Sequence, residues 1–181
     1  MEVIKQALAA GEEEEKEEYF VPDDDERQEM IQAYVSRCID EVMEEMGYEL
    51  SGMREVTKRS GRHFKNELFS YSDGCVISMT ASDDGRIAME LGGLAKEDRE
   101  PLPEEQEYLS GEMEEFCHDF SEFERRLWER GVIPKNRLSM LPPSGAYAQI
   151  INTEDFEMVK ELPLLDTSRN RKKKGKAAWQ S

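Results

Sequence analysis

Residues 64–94 constrain the fold of this sequence more than any other stretch. They hold three runs of strand-forming residues, separated by Ser-Asp-Gly at residues 72–74 and by Ser-Asp-Asp-Gly at residues 82–85. An Asp-Gly pair between two alternating runs is a strong hairpin signal, because glycine readily adopts the positive φ that a tight turn requires. The sequence therefore predicts a central antiparallel meander.

Apolar and polar residues alternate in these runs, as they do in a strand that buries one face and exposes the other. In the last run, one side carries Ile87, Met89 and Leu91 and the other side carries Arg86, Ala88 and Glu90. In the middle run, one side carries Cys75, Ile77, Met79 and Ala81 and the other side carries Val76, Ser78 and Thr80. We therefore expect the meander to have one buried face and one solvent-exposed face.

A long helix is predicted before the meander. It begins near the aspartates at residues 23–25, because their carboxylates accept hydrogen bonds from the free N–H groups at a helix start, and it ends at Gly47. Its apolar residues recur at helical spacing and form one broad face. They are Met30, Ile31, Tyr34, Val35, Cys38, Ile39, Val42, Met43 and Met46. We expect this face to lie on the buried side of the meander.

A second long helix is predicted after the meander, from about residue 104 to residue 130. Its end is marked by Gly131 and by Pro134, which cannot continue a helix. Its acids crowd the first two-thirds and its arginines the last part, which suits the helix dipole. The apolar stripe comprises Leu109, Met113, Phe116, Cys117, Phe120, Phe123, Leu127 and Trp128. This stripe should contribute strongly to the core.

Shorter elements complete the predicted fold. Residues 48–57 form a first strand, residues 137–141 and 146–152 are two further strand candidates, and Thr153 begins a brief helix that reaches residue 161. The fold class is α+β, with an antiparallel four-stranded meander packed by two long amphipathic helices, plus a C-terminal strand pair and a short helix. In element order and acidity, residues 27–161 resemble the fold of small bacterial type III secretion chaperones. This resemblance rests on topology alone and transfers no functional residue.

Charge divides the chain into three predicted parts. The formal net charge is −17, yet residues 1–29 carry 12 acids against 3 bases, and residues 168–181 carry 6 bases and no acid. Blocks of like charge disfavour compaction. We therefore predict an acidic mobile arm at residues 1–22, a single α+β domain at residues 23–162 and a basic disordered tail at residues 163–181.

Several classes of protein are disfavoured by the composition. No run approaches the roughly 20 consecutive apolar residues that span a bilayer, and the N-terminus lacks the pattern of a signal peptide. We expect no membrane partner and a cytoplasmic location. The three cysteines, Cys38, Cys75 and Cys117, are an odd number without paired spacing, so we interpret them as reduced core thiols.

The most function-like local feature is a concentration of positive charge around Ser60-Gly61, at the tip of the hairpin that precedes the meander. The residues of this basic tip are Lys58, Arg59, Arg62, His63 and Lys65. Two interpretations stay open. The tip is either a solvated loop that keeps a sheet edge from pairing with another molecule, or a binding site for an anion or a partner.

No catalytic or metal-binding motif emerges from the sequence. Cys117-His118-Asp119 has the composition of a catalytic triad, but consecutive helical residues point about 100° apart and cannot converge on one substrate atom. The acidic turns at residues 73–74 and 83–85 lack the ligand pattern of a calcium loop, and hairpin chemistry explains them. We predict no catalytic residue, no cofactor and no metal.

Three functions remain as hypotheses. The first is a non-enzymatic protein-interaction module, an adaptor or chaperone-like protein that binds another protein and is compatible with a homodimer. The second is a nucleic-acid-associated protein that holds phosphates with the basic tip and with the tail bases. The third is an enzyme whose site is assembled from residues distant in sequence. The tail bases are Arg169, Arg171, Lys172, Lys173, Lys174 and Lys176.

Overall fold

Two helices and six strands make up the part of the chain that the structure, a computed structural model, describes, namely residues 21–133 and 143–167. The helices are α1 (Asp24–Glu45) and α2 (Pro103–Glu129). The strands are β1 (Leu50–Thr57), β2 (His63–Ser72), β3 (Cys75–Ser82), β4 (Ile87–Ala95), β5 (Ile150–Asn152) and β6 (Glu157–Met158). Single 3-10 turns lie at Gly145–Tyr147 and Thr153–Asp155.

The chain divides into two compact units, Met1–Ala33 and Tyr34–Ser181, with the boundary inside α1. In the described part of the first unit, Asp23 and Glu26 form a capping box. The Glu26 N–H donates to Asp23 Oδ1 at 2.8 Å, and the Asp23 N–H donates to Glu26 Oε2 at 3.3 Å. The predicted helix start at the aspartates is therefore confirmed. The tail bases and residues 137–141 lie outside the described residues, as does most of the acidic arm.

The strands form one mixed sheet in the order β5-β4-β3-β2-β1-β6. Strands β1 to β4 are an antiparallel meander, β6 adds antiparallel to β1, and β5 adds parallel to β4. The predicted α+β class is confirmed, and a meander packed by helices is broadly present. Of the predicted C-terminal strand pair, residues 137–141 lie outside the described residues, and residues 146–152 contain the short strand β5, which pairs with β4. The predicted helix after Thr153 is a single 3-10 turn followed by β6.

The short link between β5 and β6 requires the sheet to curl. Only residues 153–156 separate the two strands in the chain, and this length of extended chain spans about 17 Å. In a flat sheet, the first and sixth strands would lie about 24 Å apart. The two edges must therefore curve toward each other, and residues 150–158 close one end of the curled sheet.

Both faces of the meander contribute to a core. The face toward the helices, here called the helix face, buries Phe69, Cys75, Ile77, Met79 and Leu91 in one cluster with α1 and α2. The opposite face, here called the inner face, buries a second cluster. Its members are Leu68, Val76, Leu94 and Ile151, with Phe156, Met158 and Leu162 packed against them. The expected solvent-exposed face is therefore wrong for the end of the sheet that residues 150–162 cover.

Glycines allow residues 150–165 to approach the sheet closely. Gly74 has a φ of +73°, and a Cβ atom there would lie 2.5 Å from the Cα of Leu165. A Cβ atom on Gly92 would lie 2.5 Å from Cδ1 of Ile151. The Leu165 N–H also donates to the Leu94 carbonyl at 2.9 Å. The turn glycine predicted at residue 74 therefore also makes room for the C-terminal segment.

The helices bury less than their sequence patterns predict. In α1 the buried residues are Cys38, Ile39, Val42 and Met43, whereas Met30, Ile31 and Tyr34 are exposed. In α2 the predicted stripe is buried at Leu109, Phe116, Phe123 and Leu127, but Trp128 is 57% exposed. Within the described residues, neither helix has the length and apolarity needed to cross a membrane.

Candidate functional site

The five residues of the basic tip do not form one site. Lys58, Arg59 and Arg62 are exposed in the turn between β1 and β2, which is closed by a hydrogen bond of 2.8 Å from the Lys58 N–H to the Arg62 carbonyl. Lys65 lies further along β2 on the helix face, where its Nζ is 2.6 Å from Glu67 Oε1. His63 Nδ1 is 3.2 Å from the Thr57 hydroxyl. Three exposed cations remain at the tip itself.

Acidic residues lie beside this tip. The His63 N–H is 3.3 Å from Asp83 Oδ2, and the Asp83 N–H donates to the His63 carbonyl at 3.1 Å. The pKa of the neighbouring Asp84 is lowered by a hydrogen bond from the Ser82 hydroxyl, and further by the charges of Arg86 and Arg62. Negative charge from the next hairpin therefore reduces the positive potential of the tip.

A pair of carboxylates lies between α1 and β2. Asp40 Oδ1 and Glu67 Oε2 are both buried and find no hydrogen-bond partner in the described part of the chain, and Glu67 is only 2% exposed. The pKa of Asp40 is raised to about 6, chiefly by burial and then by the nearby charge of Glu67, while Lys65 opposes the shift. Two carboxylates that share a proton can perform acid–base chemistry. Here Glu67 is closed to solvent between helix and sheet, so the pair is better placed to affect stability.

The residues that resembled a triad in sequence have separate surroundings. Asp119 accepts hydrogen bonds from the hydroxyls of Tyr48 at 2.9 Å and Tyr71 at 3.4 Å, which connects α2 to the sheet. Burial raises the pKa of both tyrosines. Burial also raises the pKa of the Cys117 thiol, which disfavours the thiolate, and His118 is exposed.

An unsatisfied donor and acceptor lie side by side on the inner face. Arg54 and Asn66 are direct neighbours across β1 and β2. The Arg54 guanidinium lies 4.4 Å from the centre of the Phe156 ring, but its Nε is buried without a partner. The Asn66 amide donates to Ser78 Oγ at 3.0 Å and to Thr80 Oγ1 at 2.9 Å, while its Oδ1 is buried without a partner.

Alternate residues of β4 direct their backbone N–H and C=O groups toward β3, and the residues between them direct these groups away from β3. The Ser82 N–H donates to the Arg86 carbonyl at 2.9 Å, so residue 86 and every second residue after it pair with β3. Ile87, Met89 and Leu91 therefore direct their N–H and C=O groups outward. Gly93 follows the same alternation, because its N–H also points away from β3 and donates to the Gln149 carbonyl at 3.0 Å.

Half of this outer edge has no neighbouring strand within residues 21–133 and 143–167. Strand β5 pairs with β4 only at residues 93–95. Among the described residues, no strand lies beside Ile87, Met89 and Leu91, and the side chains of Ala88 and Glu90 are exposed next to them. We call residues 87–91 the free edge of β4. Within the described chain, the outward N–H and C=O groups of Ile87 and Met89 have no strand partner, whereas Leu91 at the end of this edge is only 4% exposed. Such an edge is a template for pairing with another chain.

The other outer strand is a poorer template. Strand β6 pairs with β1 only at Gly52 and Met53, so Glu55 and Thr57 also point outward without a neighbouring strand among the described residues. The Glu55 carboxylate lies 3.8 Å from His63 Nε2, and Thr57 contacts the same imidazole. Charged and hydrogen-bonded side chains here discourage strand addition, whereas the free edge of β4 carries Ile87 and Met89.

Sequence reasoning missed the free edge of β4. The alternation identified the strand correctly, but its position in the sheet depends on a three-residue neighbour, β5, that is too short to produce a periodic pattern.

No protein-family model, no curated protein and no solved structure matches the chain. Within residues 21–133 and 143–167, no group of three or more His, Cys, Asp or Glu side chains is arranged to hold a metal ion.

Proposed function

We propose that this protein is a non-enzymatic interaction module, an adaptor or chaperone-like protein, whose sheet accepts an extended segment of another polypeptide along the free edge of β4. The observation that supports this proposal is the set of outward-pointing backbone groups at Ile87 and Met89, which are partly exposed and face no other described strand. An added strand would satisfy these groups, each hydrogen bond contributing a net 0.5–1.5 kcal/mol or so.

The chain already uses this mode of binding on the adjacent part of the same strand. Residues 149–152 pair with the outward groups of β4 from Gly93 onward, and Ile151 inserts into the inner-face cluster. A bound segment would extend this line of pairing. Its alternate side chains would lie beside Ile87 and Met89 on the helix face and beside Ala88 and Glu90 on the inner face, which supplies a means of selecting a sequence.

A matched pair of lysine variants tests the proposal. Tagged full-length protein would be purified from its native cells with nuclease treatment, as wild type, as Ala88→Lys and as Ser121→Lys. Both replaced side chains are exposed, but only Ala88 lies on the free edge, where a lysine opposes strand pairing. We expect a stoichiometric protein partner that is retained by Ser121→Lys and lost by Ala88→Lys. Equal recovery of the same partner by both variants would contradict strand addition at β4.

Nucleic-acid association is the second candidate, and the exposed cations Lys58, Arg59 and Arg62 favour it. The neighbouring Asp83 and Asp84 weaken this candidate. If phosphates are bound, retention on DNA or RNA should fall steeply with salt, because cations bind phosphate chiefly by counterion release. Replacing the six tail bases by glutamine in the full chain should then reduce retention. Unchanged retention would remove the tail from the proposal.

An enzyme with a site assembled from distant residues is the remaining alternative. The Asp40–Glu67 pair is the group in the described chain with the most suitable chemistry, but Glu67 is 2% exposed and cannot meet a substrate without an opening between α1 and β2. A cytoplasmic location remains a prediction from the sequence.

A further inference from the structure

We propose that a second copy of this chain fills the free edge of β4, with the two β4 strands antiparallel about a two-fold axis at Ala88. This inference rests on the proposed function, because it uses the same edge and names one occupant of it. Dimerisation and partner binding would then exclude each other, so that a partner strand must displace the second copy.

Backbone geometry limits the registers that such a dimer can adopt. Hydrogen bonds form only when outward-pointing residues of one copy lie opposite outward-pointing residues of the other, which requires the axis to pass through a residue and not between two residues. Axes at residues 87, 88 and 89 all meet this condition. Side-chain charge and the existing pairing with Gln149 distinguish among them.

The axis at residue 87 would place Asp84 opposite Glu90 of the second copy, and two like charges directly opposite each other are unfavourable. The axis at residue 89 would place Gly85 of the second copy opposite Gly93. The outward N–H of Gly93 already donates to the Gln149 carbonyl, so that position is occupied. With the axis at Ala88, Asp84 lies opposite the uncharged Gly92. The residue numbered opposite Gly93 is Asp83, which lies beyond the turn and donates its N–H to the His63 carbonyl of β2.

With the axis at Ala88, the strand is complementary to itself. Arg86 lies opposite Glu90 of the second copy, and the symmetry repeats this pair of opposite charges. Ile87 lies opposite Met89 of the second copy in a hydrogen-bonded pair, which is also repeated. In the separate molecule, Arg86 Nε lies 3.3 Å from Asp84, and Glu90 accepts a hydrogen bond of 2.9 Å from Gln149. Both side chains are exposed, so they can exchange these contacts for the intermolecular ones.

The dimer should be weak and dependent on concentration. An interface made by about five residues of one edge strand from each copy buries less than the roughly 1,200 Å² that stable complexes exceed. A reversible dimer of this kind leaves the edge accessible to a partner strand. Sedimentation of the full-length protein across a wide concentration range is therefore the first measurement, and we expect a monomer–dimer equilibrium.

A cysteine at the axis tests the register directly. In the Ala88 register, residue 88 faces its own symmetry mate in a non-hydrogen-bonded pair, where Cα atoms are about 4.5 Å apart and within the range of a disulfide. In a Cys117→Ser background, Ala88→Cys should form a disulfide-linked dimer under mild oxidation. Ser121→Cys, equally exposed on α2, is the matched control. Crosslinking of Ala88→Cys no faster than the control would overturn the proposed register.

Charge exchange tests the same contacts without a covalent bond. Arg86→Glu and Glu90→Arg should each weaken dimerisation by about tenfold, because each turns two opposite-charge pairs into like-charge pairs. The double exchange should restore most of the affinity. Failure of the double exchange to recover dimerisation would contradict the pairing of residue 86 with residue 90.

The outcomes separate this inference from the proposed function. If wild type is monomeric at all concentrations while Ala88→Lys still loses a protein partner, the second-copy proposal is overturned and strand addition stands. If Ala88→Lys affects neither dimerisation nor partner capture, both proposals fail. If a dimer forms but Ala88→Lys and Ser121→Lys dimerise equally, the dimer uses another surface and the inference fails.

Discussion

At the residue scale, the carboxyl group of Asp40 makes a prediction about pH. Its pKa is about 6 in the folded chain, raised chiefly by burial and then by Glu67, against an ordinary value of 3.8. A carboxyl group with a raised folded pKa destabilises the fold above that pKa, and this penalty fades as the pH falls from about 6 toward 3.8. Wild-type stability should therefore contain an unfavourable contribution at pH 8 that is absent at pH 4.

Asp40→Asn should remove that contribution and offer an N–H donor to the unpartnered Glu67 Oε2. Because the Asp40 side chain is partly exposed, solvent screens its charge, and we expect a gain of only about 1 kcal/mol in the free energy of unfolding at pH 8. The gain should disappear near pH 4. Urea denaturation at both pH values measures it, with Glu44→Gln on the exposed side of α1 as control. A pH-independent difference would contradict the assignment.

At the element scale, the first turn of α2 depends on one partly buried ion pair. Arg99 donates to Glu105 with Nη1 at 2.7 Å and Nη2 at 2.8 Å, and the Leu102 N–H donates to the same carboxylate at 2.9 Å. The hydrogen bonds from Arg99 and then Leu102 lower the pKa of Glu105 despite its burial. Glu105 therefore caps the helix only while Arg99 compensates its charge.

A double-mutant cycle of Arg99→Gln and Glu105→Gln should accordingly give a coupling of about 1–3 kcal/mol in the free energy of unfolding. The matched control is the pair Arg125 and Glu129 on the same helix, whose side chains are both more than half exposed. Exposed pairs of this spacing typically contribute about 0.5 kcal/mol or less. Equal coupling in the two cycles would show that burial of Glu105 does not strengthen its ion pair.

The two long helices and the hairpins of the meander are the elements that the sequence predicted best. Periodicity identified α1 and α2, and the Asp-Gly turns identified the meander, because these signals act within a few residues of each other. Strands β5 and β6 have three and two residues, and what determines them is distant contact with Gly92 and Gly52. Local patterns carry no information about such contacts.

The candidate site shows the same division. Sequence proximity grouped the five residues of the basic tip, although strand alternation already implied that Lys65 need not share the surroundings of Arg62. The free edge of β4 was not predictable, since its existence depends on where β5 stops pairing. A strand pattern indicates that a residue is extended, but only the assembled sheet shows which of its hydrogen bonds remain unpaired.

At the scale of the whole molecule, closure of the curled sheet depends on residues 150–165 lying against the meander. Gly74 is the most sensitive point of this arrangement, because an added Cβ would meet the backbone of Leu165 at 2.5 Å. Gly61 provides a matched comparison. Its φ of +81° is similar, but a Cβ there would meet nothing within 4 Å. The same substitution at the two glycines therefore separates local backbone strain from displacement of the C-terminal segment.

Gly61→Ala should lower the free energy of unfolding by about 1–2 kcal/mol, the usual cost of a left-handed conformation for a residue with a Cβ atom. Gly74→Ala adds to that strain the displacement of Leu165, whose burial alone is worth about 1.5–3 kcal/mol, so a total loss of about 3–5 kcal/mol is expected.

Limited proteolysis of the folded protein should also cleave within residues 159–165 faster in Gly74→Ala than in Gly61→Ala. Because Leu165 binds to the Leu94 carbonyl, release of this segment would expose the end of β4 next to its free edge. Equal losses of stability and equal cleavage in the two variants would mean that the C-terminal segment does not hold the sheet closed.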